Sequence, residues 1–224
     1  LGLTEQLQNG PWQSTLQEPA RRDLRNKLSI IGRNGDNLLR LINQLLDLSK
    51  LEAGKFSLHL TQDDIIAYLR YLAASFHSFA AAQKIELHFL PDTESFDMDF
   101  DRDRLFHILS NLLSNAVKFT PESGHIYLQT VTEPDLFTIK IRDTGVGIPE
   151  DRIPHIFDRF YQVDDSSTRP GEGTGIGLTL VRELVKMMQG EISVKSQVGR
   201  GSEFVVALPV SRSAPRPAEA KTTA

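Results

Sequence analysis

With 224 residues, 40% hydrophobic and 24% charged, the chain has the makeup of a soluble globular protein with room for one domain plus an arm. A net charge of −4 gives no broad basic surface for nucleic acid or anionic lipid, and the absence of cysteine rules out disulfides and thiolate metal sites. No apolar run is long enough to span a bilayer, so no membrane contact is expected of this stretch.

The opening Leu1-Gly2-Leu3-Thr4 is neither a signal peptide nor an initiation context and reads as an internal piece of a longer chain. Residues 1–9 carry Leu1, Leu3 and Leu7 and fit a helix end, which Asn9-Gly10-Pro11 would stop. Pro19 suits a first helical turn, and no further proline intervenes before Ala53. Leu38, Leu41, Leu45 and Leu48 recur at helical spacing, and Leu24, Leu28 and Ile31 extend the stripe upstream. This predicts a long amphipathic helix, broken only weakly by Gly32 and Gly35, either packed on its own domain or forming a hairpin that dimerises into a bundle.

After Gly54, the alternation over Phe56–Leu60 predicts a strand. Asp63 or Asp64 then caps a helix to about Gln83, with Ile66, Leu69, Leu72, Phe76 and Phe79 inward. Strands are expected at Ile85–Leu90 and Phe96–Asp99, a helix at Arg102–Phe119, and strands at Gly124–Val131 and Leu136–Arg142. A polar region from Pro149 to Glu172 leads to a helix over Gly175–Met188 and a closing hairpin of Ile192–Ser196 and Ser202–Leu208. The fold class is α+β: a two-layer α/β sandwich with a mixed sheet, preceded by a helical segment. The boundaries are 1–53 for the helical part, 54–210 for the sandwich, and 211–224 for a tail whose composition predicts disorder.

Four stretches could carry chemistry. In Gly173-Thr174-Gly175-Ile176-Gly177-Leu178, glycines at alternate positions let backbone pass close to a ligand, and a helix starting there offers unpaired N–H groups to an anion. A tight turn would look the same. His107, Asn111, Asn115 and Lys118 fall in one line on an otherwise apolar helix. A solvated face is the plain alternative, but such faces draw Glu and Lys, because Asn is a poor helix former. An Asn amide oxygen suits Mg²⁺, and Lys118 suits a phosphate.

Asp143-Thr144-Gly145-Val146-Gly147-Ile148-Pro149 begins at a strand end. A carboxylate only accepts hydrogen bonds, so Asp143 in an apolar pocket would select adenine by its exocyclic amine, where guanine presents a carbonyl. Gly145 and Gly147 would let backbone approach the base; a ligand-free turn is the alternative. The long polar stretch Asp158–Gly173 reads as a lid or as a disordered loop, with Phe157, Phe160 and Tyr161 anchoring its start and Arg169 near enough to meet a phosphate.

Together these motifs resemble one family, the sensor histidine kinases of two-component signalling. His107-x-x-x-Asn111-Leu-Leu-x-Asn115-Ala-x-Lys118-Phe119 resembles their asparagine box, Asp143-x-Gly145-x-Gly147-Ile148 the first glycine box, Phe157–Tyr161 the phenylalanine box, and Gly173–Leu178 the second glycine box. Gly199-x-Gly201-Ser202-x-Phe204 matches a closing glycine pair, and Leu45–Gly54 resembles the end of the second dimerisation helix. The resemblance spans about residues 1–210 and implies a Bergerat-type ATP-binding domain joined to part of a dimerisation hairpin. It implies Asp143 on the adenine amine and Asn111 as Mg²⁺ ligand, with Asn115 beside it at the metal or phosphates. Lys118 would contact phosphate, and Gly175, Gly177 and Leu178 would lie along the phosphates under the lid. His107 would be a polarising group near the metal. A homodimer, transfer onward to a response-regulator receiver, and the cytoplasmic part of a bacterial sensor are implied in the same way.

One departure matters. The family's acceptor histidine sits in a box resembling H-E-x-x-T-P-L, and none of the six histidines lies in such a context. The acceptor is therefore expected upstream, and the chain alone is expected to bind Mg-ATP without phosphorylating itself. The rival readings are another ATPase of the same fold and a non-catalytic dimeric module.

Overall fold

A computed structural model of the chain describes residues 18–53, 57–162 and 174–216. The chain divides into two compact units, Leu1–Gly54 and Lys55–Ala224. In the first, helix α1 spans Glu18–Glu52, with Glu18 in its first turn and Lys50 in its last, each matched to the helix dipole. Leu28 and Leu48 are buried, whereas Ile31, Leu38, Leu39, Ile42, Leu45 and Leu46 stand exposed.

The second unit has a ribbon of β1 (Thr61–Asp64) and β3 (Asp97–Phe100) and a five-stranded sheet. The sheet runs in the order β2 (Glu86–Leu90), β4 (His125–Thr132), β5 (Leu136–Asp143), β7 (Gly201–Pro209), β6 (Glu191–Gln197). The pair β2–β4 is parallel and the others are antiparallel, so the sheet is mixed. Alternation sorts its side chains: Ile126, Leu128, Phe137, Ile139, Ile141, Phe204, Val206 and Leu208 are buried, and their strand neighbours are not. Helices α2 (Ile65–Ala82), α3 (Arg102–Phe119) and α4 (Gly177–Met187) cover the apolar face. The result is a two-layer sandwich of helices on a mixed sheet, as expected from the sequence.

The helix signals are local. Asp64 caps α2 by accepting from the N–H of Ile66 at 2.9 Å and Ala67 at 3.2 Å. Asp101 caps α3 by accepting from the Arg104 N–H at 3.0 Å, and its second oxygen accepts from the His59 N–H at 2.8 Å.

Three expectations are corrected. Residues 57–60 form no strand; the strand lies at Thr61–Asp64, where pairing with β3 decides it. Phe79 is exposed, because Ala80 takes the inward position near the end of α2. The tail does not start free at Ser211. Residues 211–216 strap back across the ribbon: Ser211, Ser213 and Ala214 all donate to Asp99 Oδ2, and Arg216 pairs with Asp97 at 3.0 Å. The Gln62 N–H donates to the Pro215 carbonyl at 3.1 Å, which sets the strap beside β1.

Candidate functional site

Helix α3 is built as its pattern requires. Ile108, Leu109, Leu112, Leu113, Ala116 and Val117 are buried, and the opposite line carries half-buried His107, Asn111 and Asn115 and exposed Lys118. Asn111 donates its Nδ2 to the His107 carbonyl at 2.8 Å. With the amide nitrogen tied to its own helix, Oδ1 is the atom left to face a cation. Lys118 Nζ lies 4.7 Å from the centroid of the Phe119 ring, in the last turn of the helix.

Asp143 closes β5 and is 5% exposed. Its Oδ1 accepts from the N–H of Gly145 at 2.8 Å and of Ser202 at 3.2 Å. No donor among the described residues reaches Oδ2, so one carboxylate oxygen is fixed and the other is left for a ligand. Burial pushes the carboxyl above the usual Asp range, and the Gly145 and Ser202 bonds pull it partly back. Ser202 escaped the sequence reading because it acts through its backbone; the glycine pair before it marked the turn but not the contact.

The loop after Asp143 packs on the end of α3. The Val146 N–H donates to the Phe119 carbonyl at 3.2 Å, and a Cβ on Gly145 would lie 2.3 Å from that oxygen. Gly147 has φ +73°, and a Cβ there would meet the Gln197 carbonyl at 2.1 Å. These glycines are therefore already required by the protein's own backbone, a demand their spacing did not reveal. Ile148 is held by its N–H donating to Ser196 Oγ at 2.7 Å.

The phenylalanine and second glycine stretches meet directly. The Phe160 N–H donates to the Gly175 carbonyl at 2.8 Å, and a Cβ on Gly175, at φ +67°, would lie 2.6 Å from Phe160 backbone. Thr179 Oγ1 donates to the Phe157 carbonyl at 2.9 Å, which pins this segment to the first turn of α4. Helix α4 starts at Gly177, two residues later than expected, with Thr174 Oγ1 accepting from the Ile176 N–H at 3.3 Å. Leu178 is half-buried in the first turn. Helices α3 and α4 pack together, so the polar line of Asn111 and the glycine approach to α4 belong to neighbouring elements. Arg169 and Gly173 lie outside the described residues. A surface cleft of about 320 Å³ lined by Gln62, Asp63, Asp97, Arg102 and Arg216 shares none of these residues and belongs to the ribbon and its strap.

Residues 100–212, half of the chain, match the family described as histidine kinase-, DNA gyrase B-, and HSP90-like ATPase. The chain belongs to this ATPase family. Its relatives are sensor histidine kinases. It is 34% identical over 195 residues to hybrid signal transduction histidine kinase D of Dictyostelium discoideum, covering 84% of this chain and 12% of that protein. It is 38% identical over 187 residues to the circadian input-output histidine kinase CikA of Synechococcus elongatus, covering 83% and 25%. Against the sensor histidine kinase RcsC of Escherichia coli the figures are 36% over 174 residues, 77% and 18%. The chain thus spans a quarter or less of the length of these relatives. Among solved structures, full-length ShkA in complex with AMPPNP aligns with a TM-score of 0.77 at 30% identity, over 96% of this chain and 43% of that one. The nucleotide-free catalytic domain of ThkA shares the fold, with a TM-score of 0.61 at 24% identity over 69% of this chain and 100% of that one. Among the described residues, no helix is long and apolar enough to cross a membrane.

Proposed function

We propose that this chain is the ATP-binding kinase part of a two-component sensor, which binds Mg-ATP and delivers the γ-phosphoryl group to a histidine carried upstream in the parent protein. The observation that carries the reading is Asp143: buried at a strand end, one oxygen held by two backbone N–H groups and the other without a donor among the described residues. Such an acceptor fits the 6-amino group of adenine, where guanine carries a carbonyl. The AMPPNP bound to ShkA, a structural relative over nearly the whole chain, supports a nucleotide ligand.

In this reading the adenine amine donates to Asp143 Oδ2. Asn111, with Asn115 beside it, is the ligand for Mg²⁺, and its tied-back amide leaves the hard neutral oxygen that ion prefers. Mg²⁺, when bound, neutralises phosphate charge. Lys118 contacts a phosphate from the end of α3, and His107 polarises groups beside the metal. Thr174, Gly175, Gly177 and Leu178 line the phosphates, with Phe160 beside Gly175. The chain's work is positioning and charge compensation. The acceptor imidazole nitrogen forms the new N–P bond as the bond to the β–γ bridging oxygen breaks and ADP leaves. A receiver aspartate then takes the phosphoryl group. The exposed apolar residues of α1 form the homodimer contact.

Titration of the 224-residue chain with ATP and with GTP, each with Mg²⁺, tests the assignment. Saturable binding of ATP with much weaker GTP binding is expected, as is Mg²⁺-ATP without acid-labile labelling of the chain. Equal affinity for the two bases would remove Asp143 from its role, and a radiolabelled phosphohistidine on this chain would overturn the upstream acceptor.

A further inference from the structure

The outer face of the sheet carries a cluster that nucleotide binding does not use. Glu86 and His88 alternate on edge strand β2 and so share a face. Parallel pairing sets Glu86 opposite His125 and His88 opposite Tyr127 on β4. Three side-chain atoms converge there. His88 Nε2 lies 3.2 Å from His125 Nδ1, and Glu86 Oε2 lies 3.5 Å from the first and 3.4 Å from the second. Stacking holds the rings: Tyr127 lies 5.0 Å from His88 and 6.2 Å from His125, centroid to centroid, at interplanar angles of 18° and 26°. Arg142 lies 6.0 Å from the Tyr127 ring centroid.

We propose that Glu86, His88 and His125 form a binding site for a divalent transition-metal ion of the zinc class, with solvent in the fourth position. Hydrogen bonds hold this triangle only edge by edge: according to their tautomers, the ring nitrogens share a proton with each other or donate to Glu86. A metal ion beside the triangle takes a lone pair from all three atoms. The size also fits. Ligands about 2.0–2.1 Å from a tetrahedral ion stand roughly 3.3–3.4 Å from one another, close to the observed 3.2, 3.4 and 3.5 Å. Octahedral ligands at the Mg²⁺ distance would stand only about 2.9 Å apart, and two imidazoles are the wrong donors for that ion. Among the described residues, no other group of His, Asp and Glu side chains converges in this way.

The site bridges the edge strand to its neighbour, so an ion there clamps β2 onto β4. It also sits beside the loop that follows Asp143. The His125 N–H donates to Thr144 Oγ1 at 2.9 Å, and the Thr144 N–H returns to the His125 carbonyl at 3.1 Å.

The test uses the whole 224-residue chain, stripped with chelator and free of nucleotide. It is titrated with Zn²⁺ by calorimetry and with Co²⁺ by visible absorption. The expected result is one ion per chain, the intense visible bands of four-coordinate Co²⁺, displacement of Co²⁺ by Zn²⁺, and a rise in melting temperature on binding. His88→Gln and His125→Gln should each lower affinity at least about 100-fold, and Glu86→Gln about tenfold, with far-UV circular dichroism unchanged. No stoichiometric binding, or only the weak bands of octahedral Co²⁺, would overturn the proposal. So would binding that survives in the His88→Gln/His125→Gln double variant, which would mark an adventitious ion only.

Discussion

Asp143 is held in a state that the unliganded protein does not favour. Burial raises its carboxyl above the ordinary Asp value of 3.8, so the folded chain takes up a proton more readily than the unfolded one. The contribution of this group to stability is therefore greatest below pH 3.8 and declines as pH rises through the raised folded value. Asp143→Asn keeps an oxygen for the Gly145 and Ser202 N–H groups but turns an amide donor toward the base. At neutral pH the nucleotide-free variant should melt no lower than the parent, while ATP affinity falls about 100-fold, as a buried donor facing a donor requires. A variant that bound ATP as well as the parent would sink this account. Asn111→Ala should behave differently. Binding of ATP in EDTA should be unchanged, and the increment that Mg²⁺ adds should disappear; equal loss with and without Mg²⁺ would assign Asn111 to something other than the ion.

At the scale of elements, the segment Phe157–Tyr161 and the start of α4 act as one piece, because Phe160 and Gly175 are in backbone contact. Gly175→Ala must keep φ near +67°, which costs an alanine about 1–2 kcal/mol, and it must also displace Phe160 backbone 2.6 Å from the new methyl. Denaturant unfolding should show at least that loss, with nucleotide affinity falling further than stability; an unchanged midpoint would show that the contact yields freely. On α1, Leu38 is 58% exposed in the single chain. If this face makes the homodimer, Leu38→Glu should shift sedimentation from dimer to monomer and leave ATP affinity alone, since α1 is a separate unit. Periodicity made both helices legible: α3 follows its apolar pattern from Arg102 to Phe119. The β1 error has a matching cause. Phe56–Leu60 alternates better than Thr61–Asp64, but the choice rests with Met98 and Phe100 on the partner strand.

At the scale of the whole ATPase unit, the chain is closed by residues 211–216 returning to the β1–β3 ribbon. Asp99 is the anchor. Burial pushes its carboxyl up, but the Ser213 and Ala214 N–H groups and the Ser211 and Ser213 hydroxyls pull it below the usual 3.8. Its stabilising contribution is therefore complete above pH 3.8 and is lost as pH falls through the depressed folded value. Asp99→Asn should lower stability at pH 7 by about 1–3 kcal/mol, and the gap to the parent should close in acid below 3.8. A gap that stayed constant down to that range would mean that the strap does not depend on the charge. Composition alone hid the strap. Ser211, Arg212, Ser213 and Ala214 bring no apolar surface; one buried carboxylate 112–115 residues earlier holds Ser211, Ser213 and Ala214, and Arg212 Nε donates to the Asp97 carbonyl.

What the sequence by itself determined is what repeats or caps locally: the helices through their 3.6-residue period and Asp64 and Asp101 caps, the sheet strands through alternation, and the family through motifs of set spacing. Tertiary structure decided whatever depends on partners far along the chain. It chose which oxygen of Asp143 Ser202 would hold and which backbone Gly147 had to pass. It also brought Glu86, His88 and His125 to one point. A side chain's spacing fixes the face it leaves from, but its neighbour across the sheet is set only when distant strands come into register.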